Sequence, residues 1–182
     1  MIQKHAVRLF VARGYDGTTV NDVAAAAGVS PMTVYRHFPT KEDLVLADRN
    51  GALVAERLAA TPAGQPLVHR IGSALVESAR TLTVGDDGFL LARLQLMIST
   101  PALRARHLDN HHLLQQAIVD GLGDEAADPD AAFRAGAAAA ACLAVMHTAL
   151  VRWAADDGRA DLPALIATAL AATFGAAHPR PD

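Results

Sequence analysis

A chain of 182 residues, 52% hydrophobic but only 4% aromatic, has enough apolar mass for one large or two small domains, with a core built of Ala, Leu and Val. Its formal net charge of −3 excludes a broad basic field as the source of affinity for polyanions. Its single cysteine, Cys142, excludes an internal disulfide and points to a reducing, cytoplasmic setting. Ala and Leu are strong helix formers, and no segment alternates in the period-two pattern of strands, so the predicted fold class is all-α. Met1 leads directly into a helix, and no signal peptide is expected.

Ile2, Ala6, Leu9 and Phe10 give the first predicted helix its core face, and Gly14 ends it. Thr19 is a good N-cap for the second helix, with Asp22 placed to answer its backbone as in a capping box. Val20, Val23, Ala24 and Ala27 form the apolar side of that helix. Gly28 supplies the positive φ of a sharp turn, Val29 plugs the angle, and Ser30-Pro31 caps and opens a third helix. Val34 and Phe38, one turn apart, face inward. Met32, Thr33, Arg36 and His37 project elsewhere, with Tyr35 at the edge. This helix, glycine turn and capped helix form a helix-turn-helix, whose second helix is the usual reader of the major groove. A solvated helical hairpin would show much of the same pattern.

Thr40 caps a fourth helix, predicted to run from Lys41 through Leu44, Leu53, Val54 and Leu58 to about Ala60, with Asp43 at the reciprocal position. Asn50-Gly51 inside it is a candidate hinge, because Gly weakens a helix by about 1 kcal/mol relative to Ala. Further helices are predicted from about Leu67 to Thr83 and from Phe89 to Ser99. Three more follow, from Thr100-Pro101 to Leu122, from Asp128-Pro129 to about Asp157 and from Asp161-Leu-Pro163 to about Phe174. Residues 179–182 read as a tail. The longest apolar run, Ala135 to Val151, is mostly Ala and contains Gly136 and His147, which argues against a membrane span.

The ordered series Phe10, Gly14-Tyr15, Thr18-Thr19, Gly28-Val29-Ser30, Thr33 through Phe38, Lys41-Glu42 and Leu44 resembles the N-terminal domain of the TetR family of transcriptional regulators. The resemblance implies a DNA-binding domain over 1–47 and a six-helix effector-binding and dimerisation domain over 48–178. It implies that Thr19 meets a phosphate at its helix N-terminus, and that Met32 and Thr33 approach base edges after the Ser30 cap. Tyr35 and His37 would grip the backbone, Arg36 would reach a phosphate or a guanine, and Lys41 would clamp a phosphate. Residues 1–50 hold six Lys/Arg against five Asp/Glu, so affinity for a double-stranded operator must come from placed contacts doubled in a homodimer. The family also implies basic residues before the first helix, so either the native start lies upstream of Met1, the slightly favoured reading, or the chain lacks a basic N-terminal arm.

The final two helices, rich in small residues around Ala135–Ala144, are the expected dimer surface, equally readable as buried core. An unknown small-molecule effector is expected among the middle helices. Phe89, Arg93, Met97, His111, Leu114, Ile118, Met146, His147 and Trp153 are candidate lining residues, although each is more often core or surface when taken singly. Leu91 to Arg106 and Ala149 to Trp153 are similar to C-terminal domains near the mycofactocin-gene regulators, which makes an acyl-CoA-type effector a candidate.

His107 and His111 stand four apart with His112 beside them, a spacing that can ligate zinc. No third ligand follows from the sequence and no His-Glu-x-x-His pattern occurs, so neither a metal site nor a cofactor is expected. No phosphate-cradling loop, nucleophile elbow or paired-carboxylate constellation marks an enzyme. The expected protein is a ligand-responsive regulator, most often a repressor in this family. Its two reading helices would sit about 34–36 Å apart in successive major grooves, and the effector would change that separation. The rival readings are a helical small-molecule carrier or enzyme with a vestigial helix-turn-helix, and a regulator that answers to no small molecule.

Overall fold

The computed structural model describes residues 1–47, 50–86 and 88–175, and side chains for all of these except residues 50, 108 and 109. The predicted tail from 179 onward and the core role of Leu108 lie outside the described residues. Every regular element among the described residues is a helix: α1 (Ile2–Arg13), α2 (Val20–Ala27), α3 (Pro31–His37), α4 (Asp43–Leu46), α5 (Asn50–Ala59), α6 (Leu67–Thr83), α7 (Phe89–Ser99), α8 (Pro101–Asp120), α9 (Pro129–Ala155) and α10 (Leu162–Phe174). A short 3-10 turn, Gly123–Ala126, precedes α9.

The chain forms two compact units, Met1–Asp48 with Asp86–Asn110, and Arg49–Gly85 with His111–Asp182. In the first, α1 packs on α2, α4 and α7, and α2 on α3. Its core holds Ala6, Val7, Phe10, Val23, Ala24, Val34, Leu44 and Val45, all buried. Ala6, Phe10, Val23, Ala24, Val34 and Leu44 are among the apolar positions that helical periodicity predicts; Val7 and Val45 add to them, and the predicted Ile2, Leu9, Ala27 and Phe38 are only half-buried. In the second unit α6 lies against α5, α9 and α10, and α9 against α10. Leu58, Ile71, Leu75, Ile118, Leu143 and Ile166 fill its centre.

The helix starts follow the predicted capping chemistry. Asp128 accepts from the Ala131 N–H at 2.9 Å and Asp161 from the Ala164 N–H at 2.8 Å, each ahead of a proline in the first turn. Thr40 and Asp43 cap each other reciprocally.

The fourth helix departs from expectation. It is not continuous from Lys41 to Ala60, because Ala47 leaves the helical region at φ −63°, ψ 121° and ends α4. The two carbonyls this break exposes find partners: Gln3 donates to the Ala47 carbonyl at 2.7 Å and Arg93 to the Leu46 carbonyl at 3.1 Å. Tertiary donors thus stabilise an interruption that helical periodicity does not signal. Gly51 lies within α5, past that break, where a Cβ would sit 3.4 Å from the Ala117 Cβ. That is ordinary van der Waals contact, so the packing of α5 on α8 does not require a glycine there.

By length and composition α9 is apolar enough to cross a membrane, with a mean hydropathy of 1.4 over an 18-residue window. Here it packs along α6 and α10 within its unit. Cys142 is buried in α9, its thiol pointing to the Val68 carbonyl. Burial pushes that thiol up to about 11, as befits a small hydrophobe rather than a reactive thiol.

A salt bridge ties the 3-10 turn to α6. Arg70, only 2% exposed, donates to both Glu125 carboxylate oxygens, at 2.5 and 2.9 Å, and to the Thr61 hydroxyl at 2.9 Å. The Arg70 guanidinium holds the Glu125 carboxyl below the usual carboxylate range. A depressed folded value contributes stability that is present above the ordinary glutamate range, about 4.3, and is lost as pH falls through the folded value. The gap in thermal midpoint between wild type and Glu125→Gln is therefore expected at neutral pH and should close as pH drops below about 4. A gap of constant size in melts from neutral to acid pH would rule out this ion pair as its origin.

Candidate nucleic-acid interface

The turn between α2 and α3 is fixed by backbone chemistry. Gly28 adopts the left-handed conformation at φ 68°; its N–H bonds the Ala25 carbonyl, while the Val29 N–H reaches back to Ala24 at 3.0 Å. This is a Schellman closure, which satisfies the last carbonyls of α2 and turns the chain. Ser30 then accepts from the Thr33 N–H at 3.1 Å and caps α3, with Pro31 at its first position. Val34 is fully buried, which anchors the helix by one residue and leaves its opposite face outward.

That outward face carries Met32, 77% exposed, and Tyr35, 48% exposed, with Arg36 and His37 also exposed. Thr33 is half-buried, and its hydroxyl is hydrogen-bonded to Ser30 at 2.9 Å. Ser30 and Thr33 therefore serve the helix start first. Four side chains remain on one short helix face: a thioether, a phenol, a guanidinium and an imidazole. All of them suit phosphate oxygens or base edges.

Thr19 completes a capping box with Asp22. Its hydroxyl donates to the Asp22 carboxylate at 2.5 Å, and its own N–H reaches the same oxygen at 2.7 Å. These bonds hold the Asp22 carboxyl below its usual value, and they commit the Thr19 hydroxyl proton locally.

Lys41 is half-buried, with its ammonium donating to the Tyr15 carbonyl at 2.5 Å and lying 4.2 Å from the Tyr15 ring centroid. The Tyr15 hydroxyl donates to Glu42 at 2.8 Å, and its ring packs on Phe10 at 5.0 Å. Burial first, and then the bond to Glu42, push the Tyr15 phenol upward. This clasp joins the loop after α1 to the start of α4. The sequence places Tyr15 and Lys41 in the family pattern but does not reveal that they hold each other.

The predicted effector-lining residues fall in both units. Phe89, Arg93 and Met97 lie on α7 in the first, where Met97 is buried and Arg93 holds the end of α4. Leu114, Ile118, His111, Met146, His147 and Trp153 belong to the second. Ile118 is fully buried. The Trp153 indole donates to the Ala160 carbonyl at 2.8 Å, which closes the turn between α9 and α10. His111 and His147 are brought together, ring centroids 5.4 Å apart and planes at 88°. Burial and the neighbouring imidazole hold His111 below its ordinary value. An open groove of about 440 Å³ in the second unit runs between α8 and α9 past His112, Gln115, Phe133 and Ala140, and none of the predicted lining residues borders it.

A capped helix held by one buried valine, with polar and cationic groups facing out, is the geometry of a helix-turn-helix DNA-binding protein. Comparison with known proteins defines the class further. Residues 2–47 match the family described as bacterial regulatory proteins, tetR family, and residues 65–175 match the MftR C-terminal domain. The chain belongs to the TetR family of transcriptional regulators. It is 34% identical over 113 residues to the HTH-type transcriptional regulator TcmR of Streptomyces glaucescens, a match spanning 58% of this chain and 50% of TcmR. The chain thus spans about half the length of this curated relative.

Among solved structures it resembles Bacillus subtilis FadR in complex with stearoyl-CoA, with TM-score 0.59, 20% identity, and coverage of 96% of this chain and 97% of that one. It also resembles Thermus thermophilus FadR, a TetR-family repressor in complex with lauroyl-CoA, with TM-score 0.55, 24% identity, and coverage of 100% and 97%. At these identities the likeness is one of fold.

Proposed function

We propose that this chain is a dimeric repressor that reads a twofold operator through α3 and releases it when a small molecule binds the C-terminal domain. The observation that carries the reading is the outward face of α3: Met32, Tyr35, Arg36 and His37 exposed on a helix whose start and turn are locked by Ser30 and Gly28. Such a face needs no rearrangement to enter a major groove. An ammonium has three N–H donors, so Lys41 retains capacity for a phosphate oxygen while holding Tyr15.

The dimer surface is assigned to α9 and α10. Ala137, Ala140, Ala144 and Thr148 on α9 are exposed, as are Ala164, Ala167, Thr168 and Ala171 on α10. Small residues spaced three or four apart let two helices approach closely, and a twofold axis presents the reading helix to both half-sites. Operation in the cytoplasm, where the DNA is, follows from the same reading.

The effector class favoured is an acyl-CoA. The support is the match of residues 65–175 to the MftR C-terminal domain and the fold shared with two acyl-CoA-bound FadR proteins. Fluorescence anisotropy with labelled DNA from upstream of the protein's own gene tests both halves. Saturable binding at two chains per palindrome is expected, followed by release on adding long-chain acyl-CoA. Absence of DNA binding overturns the regulator reading. Release by no acyl-CoA of any chain length overturns the effector class alone.

A further inference from the structure

We propose that Tyr15 is a positioning residue for the phosphate contact of Lys41, holding the adjacent Glu42 carboxylate away from the Lys41 ammonium. The three side chains meet on one aromatic ring within the first unit. The Lys41 ammonium lies 4.2 Å from the Tyr15 ring centroid and 5.6 Å from that of Phe10. It donates to the Tyr15 backbone carbonyl at 2.5 Å. All of these partners are uncharged, so the ammonium keeps its full positive charge. The Glu42 carboxylate is held at the far end of the same ring, where it accepts from the Tyr15 hydroxyl at 2.8 Å. The ring itself is fixed, being buried and packed on Phe10 with centroids 5.0 Å apart.

Of the two acids that follow Lys41, Asp43 is committed locally, accepting from the Thr40 N–H at 2.9 Å. Glu42 is the one whose anchor is remote in sequence, 27 positions away at Tyr15. Freed from that hydroxyl, its carboxylate can reach the neighbouring ammonium. A lysine paired with glutamate neutralises no phosphate and releases no counterion. An unanchored carboxylate beside the contact also repels the DNA backbone. Tyr15 therefore acts on DNA binding through Lys41, without touching the DNA. This deepens the proposed function and rests on it, because it takes Lys41 as a phosphate clamp beside α3.

The test is fluorescence anisotropy with DNA from upstream of the protein's own gene, at several salt concentrations. The proteins compared are wild type, Lys41→Ala, Tyr15→Phe, and Tyr15→Phe combined with Glu42→Gln. Tyr15→Phe keeps the ring beside Lys41 and loses only the hydroxyl. It should weaken binding about two- to fivefold at each half-site, the size of an exposed ion pair, and about four- to twenty-five-fold in the twofold complex. Its slope of log affinity against log salt should fall toward that of Lys41→Ala, by up to about 1 per protomer. Adding Glu42→Gln removes the competing charge and should restore both affinity and slope. It could not do so if the lost hydrogen bond served only stability. Circular dichroism shows whether the helices persist. If Tyr15→Phe loses them, Glu42→Asp takes its place, because the shorter carboxylate leaves the hydroxyl but stays beside Lys41, and the same loss is expected. No DNA binding by wild type overturns the regulator reading and this role with it. Wild-type affinity in Lys41→Ala or Tyr15→Phe, or a loss that Glu42→Gln leaves in place, overturns the positioning role while the regulator reading stands.

Discussion

Arg36→Ala is expected to weaken operator binding by roughly 2–6 kcal/mol in the twofold complex, from about 1–3 kcal/mol at each half-site. Arg36 is exposed on α3, one turn beyond Met32 at its 77% exposed start. Its replacement removes a contact without disturbing the core anchor Val34. The salt dependence tells which contact it makes. If Arg36 meets a phosphate, the slope of log affinity against log salt falls by about 1 per protomer. If it meets a guanine, the slope is nearly unchanged and discrimination at that base pair relaxes. Anisotropy titrations at several salt concentrations, with Arg159→Ala, an exposed position of the second unit, as control, measure both. Wild-type affinity in Arg36→Ala would remove Arg36 from the interface.

Gly121→Ala is expected to destabilise the second unit by about 1–3 kcal/mol, the usual cost of overpacking. A Cβ at Gly121 would lie 2.9 Å from the Ala55 Cβ, 3.0 Å from its Cα and 3.2 Å from its carbonyl oxygen. Two of these three atoms are backbone, so no side-chain rotation relieves the clash, and α5 must move away from the end of α8. Adding Ala55→Gly removes only the Cβ contact and should restore part of the loss. Gly51→Ala is the contrasting case. Its Cβ meets Ala117 at 3.4 Å, so stability should stay within about 1 kcal/mol of wild type, with helix propensity on the stabilising side. Urea unfolding of the three variants checks the order. A Gly121→Ala midpoint equal to that of wild type would mean that α5 and α8 do not approach as closely as described.

Much of the reading unit was legible in one dimension because its determinants are local. Thr19 with Asp22, Gly28 with Val29, and Ser30 with Pro31 are capping and turn chemistry between residues at most a few positions apart. Their effect does not depend on the rest of the fold. The break after α4 was not legible. Nothing at Ala47 disfavours a helix, and the donors that stabilise the break come from Gln3 and Arg93, about 45 positions away on either side. The clasp of Lys41 on Tyr15 was hidden for the same reason, since a lysine opening a helix reads equally as a solvent-facing phosphate clamp. Arg93 shows the limit for the effector site, because a mixed apolar and polar helix face does not say which partner each polar group takes.

The sequence by itself determined that the chain is helical, that α2, Gly28 and α3 form a helix-turn-helix, and that Met32, Arg36 and His37 turn outward from it, since helical period and caps are encoded within a few residues. It also paired His107 with His111, one helical turn apart. Only the tertiary structure decided that His147, some forty residues further on, joins His111, and that Gly121 lies against the backbone at Ala55. Both depend on where separate helices come to rest against one another. That is set by the collective packing of Leu58, Ile118, Leu143 and their neighbours, which no local pattern records.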